Sequence, residues 1–158
     1  MASLRRRIVA ALADLFDAGL DWDCKTRGQV DQVTGPKIGI VYDSAETKSI
    51  QNGAGCSGGQ YRATLTVEVR VFVDPALTPA GGNPFDELDD AIAELEALIP
   101  WQSDLQPILG VPGVVALDYG NLVKDQPDED TGLLGAVLRF DVLYRHDLAN
   151  ASTIGGLS

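Results

Sequence analysis

The chain holds two cysteines, one histidine, and 12 lysines and arginines against 23 aspartates and glutamates. Each scarcity excludes something. Cys24 and Cys56 stand far apart, neither belongs to a C-x-x-C pair, and His146 has no second histidine, so the sequence offers no local metal chelate. A disulfide between Cys24 and Cys56 stays open, although two reduced thiols in a cytoplasmic protein is the plainer reading. The shortage of cations leaves a net charge of −11. That argues against a conventional nucleic-acid binder, whose phosphate contacts need a basic surface. It leaves room for a protein past which DNA slides without sticking. No apolar run approaches the ~18 residues of a membrane span. The glycine run Gly53–Gly59 is no phosphate loop either: no Gly-Lys-Ser/Thr follows it, and it leads into a strand rather than a helix.

What the chain does have is two long alternations of apolar and polar residues. Tyr61, Ala63, Leu65, Val67, Val69, Val71 and Val73 oppose Arg62, Thr64, Thr66, Glu68 and Arg70. Leu134, Ala136, Leu138, Phe140, Val142 and Tyr144 oppose Arg139, Asp141 and Arg145. Period two is the signature of a half-buried strand. A dozen positions at about 3.3 Å each reach ~40 Å, roughly twice a common strand. Strands this long in 158 residues suggest a surface built for assembly.

The rest of the chain arranges itself around them as one domain, residues 1–146, with a flexible arm over 147–158. Arginines followed by an apolar stretch at the N-terminus mimic a signal peptide, but Asp14 interrupts it. Leu4, Ile8, Leu12 and Leu15 repeat at helical spacing, so the segment reads as a retained amphipathic helix capped by Ser3 and ending near Gly19. Its first turn carries Arg5, Arg6 and Arg7, where the helix dipole disfavours cations by a few tenths of a kcal/mol each. Either an acidic neighbour compensates or the patch is simply solvated. Residues 20–36 read as an irregular connection with one short extended piece. Residues 37–42 read as a strand with Ile38, Ile40 and Tyr42 on one face, and 43–60 as a long Ser/Asn/Gly-rich loop. Asn83 and Pro84 open a second helix. Its buried stripe is Phe85, Leu88, Ile92, Leu95 and Ile99, and its other face is acidic: Asp86, Glu87, Asp89, Asp90, Glu94 and Glu96. Residues 114–119 form a further strand, and 124–132 an acidic turn.

Catalysis would have to come from Cys56 with His146, oriented by Asp147 or Asp118. The loop around Cys56 and Gly58 lacks the strand–turn–helix setting of a nucleophile elbow. Six acids on one helix are more often a solvated or partner-facing surface than an acid–base site. The expectation is therefore a protein that is not an enzyme, with no cofactor, no metal and no membrane partner. Its candidate interface residues are Arg5, Arg6, Arg7, Glu94, Glu96, Cys56, Gly58 and His146.

Three segments carry a resemblance. They are the helix Leu4-Arg-Arg-Arg-Ile-Val-Ala-Ala-Leu12 leading to the strand Ile38-Gly-Ile-Val-Tyr42, the strand 62–73, and the helix 88–98. In that order they resemble the tail terminator proteins of long-tailed bacteriophages, the minor tail protein U-like family. The likeness covers most of the chain as a pattern of elements. It implies an α+β subunit, an antiparallel, mostly four-stranded sheet with two main helices packed on it. It also implies a homo-oligomer, a hexameric ring that caps the tail tube, ends its polymerisation and meets the head-tail connector or neck protein. Such a protein belongs to the virion and is assembled in the host cytoplasm. DNA would pass through the lumen without specific binding, a negative wall repelling its backbone. A neck or head-completion connector of similar size is the competing reading, and a small Cys–His hydrolase a remote one.

Overall fold

The computed structural model describes residues 2–26, 36–51, 60–78, 81–99, 109–125, 129–130, 132–147 and 154. Two helices, α1 (Leu4–Gly19) and α2 (Pro84–Leu98), join five strands: β1 (Asp23–Thr26), β2 (Lys37–Gln51), β3 (Gln60–Val73), β4 (Val114–Lys124) and β5 (Leu134–Asp147). The strands form one sheet in the order β1-β2-β3-β5-β4. β1 runs parallel to β2 and every other pairing is antiparallel. The fold is α+β, as the sequence implies, with the short extended piece supplying a fifth strand.

The two alternations become β3 and β5, paired side by side over their whole length, Gln60 opposite Asp147 and Val73 opposite Leu134. Their apolar halves lie on one face under the helices. Val67, Val69, Phe140 and Leu138 are buried with Leu4, Ile8, Leu12 and Phe16 of α1 and with Leu88, Ala91, Ile92 and Leu95 of α2 in one core. Phe16 meets Phe140 edge to face at 6.4 Å. Phe16 rather than Leu15 continues the stripe of α1, one turn after Leu12, as a helical repeat favours.

Both helices begin where their caps place them. Ser3 Oγ accepts the Arg6 N–H and Asn83 Oδ1 accepts the Phe85 N–H, satisfying donors that a helix start leaves open. Gly39 sits opposite Cys24 in the parallel pair, and a Cβ there would lie 2.8 Å from the Cys24 sulfur. A side chain there would have to push aside the Cys24 sulfur and the Trp22 ring, so glycine suits the close approach of β1 and β2.

Two expectations need correction. Residues 43–51 are strand, not loop. A bulge at Asp43/Ala45 shifts the register, and β2 then continues beside β3 to Gln51. The shift breaks the alternation of a polar segment, which hides it from period-two reading. The rest of the expected loop, residues 52–59, lies outside the described residues. Phe85 leaves the buried stripe of α2 and is 59% exposed. On β2, Ile38, Ile40 and Tyr42 share one face as expected, while Val41 on the other face joins the core beneath the helices. The expected arm lies largely outside the described residues. Asp147 ends β5, and Ile154 lies against Gly113, where its Cδ1 would be 3.1 Å from an added Cβ.

Candidate interaction surfaces

Arg5 finds the acidic neighbours that its place on the helix calls for. Its Nη1 donates to Glu46 at 3.1 Å, and its Nε stands 3.9 Å from Asp43. Glu46 lies on the part of β2 that continues past the bulge, on the same face as Leu65 and Ala63. From Glu46 a polar network runs along this face. Tyr144 donates its hydroxyl to Glu46 at 2.5 Å, and Lys48 sits 3.2 Å from Glu46. Lys48 also lies 2.8 Å from His146 Nε2 and 5.5 Å from the centre of the Tyr61 ring. A lysine can only donate, so Nε2 accepts, and the Nδ1–H of His146 donates to the Asp147 carbonyl at 2.8 Å. These contacts fix the orientation of the imidazole, which is buried between Tyr61 and Tyr144. Burial first, and the Glu46 carboxylate second, push the Tyr144 phenol well above its ordinary range.

Arg6 and Arg7 are not drawn into this network. Arg6 is exposed, and Arg7 Nη1 is buried without a hydrogen-bond partner among the described residues. Both border a cavity of ≈ 300 Å³ whose floor includes Val9 and Ala10.

Glu94 and Glu96 are two residues apart on α2, so they point to nearly opposite sides of the helix and cannot act as one patch. Glu94 accepts the indole N–H of Trp22 at 2.9 Å, a contact between residues far apart in sequence that periodicity alone does not reveal. Elsewhere on α2, Glu87 pairs with Lys37 at 3.0 Å and Asp89 with Lys124. Asp86 and Asp90, one turn apart and exposed, have no partner among the described residues.

The opposite face of the sheet carries the polar halves of β3 and β5. Glu68, 7% exposed, accepts two hydrogen bonds from Arg139 at 2.6 and 2.9 Å. Burial alone would raise its carboxyl. Hydrogen bonds from Tyr42 and Arg139 and the charges of Arg139 and Arg70 outweigh burial and hold it below the usual carboxylate range. Beside it Thr66 donates to Asp141 at 2.9 Å, while Arg62 and Arg145 face each other across the strands.

Cys56 and Gly58 lie outside the described residues, so the Cys56–His146 pair and the Cys24–Cys56 disulfide do too. Cys24 is free, and burial, aided by Asp17, pushes its thiol up to about 12. A thiol so rarely ionised is a poor nucleophile. Among the described residues no helix is long and apolar enough to cross a membrane.

No family model matches the chain, and no curated protein does. Among solved structures it is similar to a chain from the virion of a native gene transfer agent particle, at 15% identity and a TM-score of 0.43 over 90% of this chain and 92% of that one. A likeness of that size assigns neither family nor role.

Proposed function

We propose that the chain is a structural virion protein, a tail terminator whose copies form a hexameric ring on the end of the tail tube. The ring ends tube polymerisation and offers its other side to the head-tail connector or neck. The observation that carries this reading is the sheet itself. It combines strands of 15, 14 and 14 residues in one small chain, helices on one face, and a broad polar face whose side chains are fixed by Glu68, Arg139, Thr66 and Asp141. A rigid, extended and patterned surface suits a subunit that stacks on other subunits. The succession of helix, long hairpin, acidic helix and second hairpin also follows the element pattern of the tail terminators. Six copies at −11 each would surround passing DNA with repulsive charge and keep it from sticking. In this role the protein is no enzyme, and it resides in the virion after assembly in the host cytoplasm.

The test is the mass of the purified protein in solution, alone and with tail-tube protein, followed by imaging. A six-fold ring, alone or at tube ends, is the expected result. A protein that never binds the tube overturns the terminator role and leaves the neck or head-completion connector.

A further inference from the structure

Phe85 opens α2 with its ring largely in water, although its neighbours Leu88 and Ile92 are buried. Leaving so large an apolar surface in solvent forgoes the stabilisation of burial. Asp86 and Asp90 neighbour each other on the solvent side of the helix next to it, exposed and with no partner among the described residues, so an acidic edge runs beside the apolar knob.

The other end of the helical layer offers the complement. The cavity at the start of α1 has Ala2, Val9 and Ala10 for an apolar floor and Arg6 and Arg7 at its sides. The first turn of α1 holds no acid, so the helix dipole adds to the positive potential there. Arg7 Nη1 is buried without a partner among the described residues, which is costly unless something arrives to accept its hydrogen bond. Among the described residues the acid at the cavity is Asp43, and it is already answered by Arg5.

We propose that Phe85 of one copy seats in the α1 cavity of a second copy, with Asp86 and Asp90 against Arg6 and Arg7. The two surfaces belong to opposite sides of the subunit. Arg5 ties the start of α1 to β2 through Glu46, whereas Asp89 ties the start of α2 to the edge strand β4 through Lys124. The contact is therefore head-to-tail: each copy gives one knob and takes one. A repeated head-to-tail contact closes into a ring when its rotation permits. This deepens the ring reading above and rests on it for closure, but the contact itself needs no tail tube.

Sedimentation velocity on the full chain, at low and high salt, tests it. Wild-type protein should self-associate, less so at high salt, because the flanking charges are exposed and screened. Phe85→Ala should weaken association at least tenfold. The double variants Arg6→Glu/Arg7→Glu and Asp86→Lys/Asp90→Lys should each stay monomeric, and an equimolar mixture should recover assembly with copies alternating. Arg6→Glu alone, at an exposed position, serves if the Arg7 change disturbs folding, and thermal unfolding of each variant checks this. A wild type that remains monomeric at high concentration overturns the proposal, as do reversal variants that assemble like wild type, or a mixture that does not recover. Rings that ignore these substitutions overturn this contact and leave tube capping standing. Rings that obey them but never meet tail-tube protein overturn capping and leave this contact.

Discussion

The helix-covered face of β3 and β5 is made in two ways along its length. Beneath the helices it is wholly apolar, with Val67, Val69, Leu138 and Phe140 packed on Phe16, Leu88 and Leu95. Towards the free ends of the same strands, the same face carries Tyr61, Tyr144 and His146, joined by Glu46 and Lys48 of β2 and by Arg5 of α1. The first region needs only shape and apolarity, which dispersion and water exclusion reward without direction. The second reaches the same burial of Tyr144 and His146 only because each polar group finds a partner of the right sense. The comparison teaches that a sheet can outrun its helices, provided hydrogen bonds close the remainder.

The two halves should break differently. Phe140→Ala should cost the most, about 3–5 kcal/mol, because a large apolar side chain leaves a cavity that the sheet cannot collapse. Equilibrium denaturant unfolding reads it, and a cost below that of a polar-end variant would reverse the comparison. Glu46→Ala comes next, at about 1–3 kcal/mol, since it strands the Tyr144 hydroxyl and deprives Arg5 and Lys48 of their carboxylate. Tyr144→Phe keeps the ring and loses one bond, so about 1 kcal/mol is expected. A double variant with Glu46→Ala that costs no more than Glu46→Ala alone would establish that the two act through one contact.

Acid provides a subtler test, aimed at the opposite face. The Glu68 carboxyl is lowered from its ordinary 4.5 by folding, so its contribution is present above that value in the unfolded chain. It is lost as pH falls through the lower folded value. Asp17 behaves alike, lowered from 3.8 chiefly by the hydrogen bond from the Cys24 N–H. Stability should decline as the pH drops below about 4.5, and Glu68→Gln should flatten part of that decline. The smallest effect on folding belongs to Phe85→Ala, within about 0.5 kcal/mol for an exposed site, even as it weakens association. If Phe85→Ala unfolded the protein, the ring would be part of the core after all.

Much of the fold was legible in the chain. Ser3 and Asn83 announce both helix starts, Leu4, Ile8 and Leu12 announce the buried side of α1, and the alternations announce β3 and β5. Each signal is complete within one or two turns or a few pleats, because caps and periodicity are local. The second half of β2 was not legible, since Glu46, Thr47, Lys48 and Ser49 are strand only by virtue of pairing with β3. Phe85 holds a helical position that suits a core, yet the sheet does not reach it.

The sequence by itself determined the two helices with their caps, the long strands with their faces and the strong negative charge. Only the tertiary structure decided which charges are spent and which remain free. It matched Arg5 with Glu46, Trp22 with Glu94 and Lys48 with His146 across 41, 72 and 98 residues, and among the described residues it left Arg6, Arg7 Nη1, Asp86 and Asp90 without partners. The physical reason is range. Backbone preference and amphipathic spacing are written in neighbouring residues, whereas the partner of a charged side chain is fixed only when distant strands and helices are packed together.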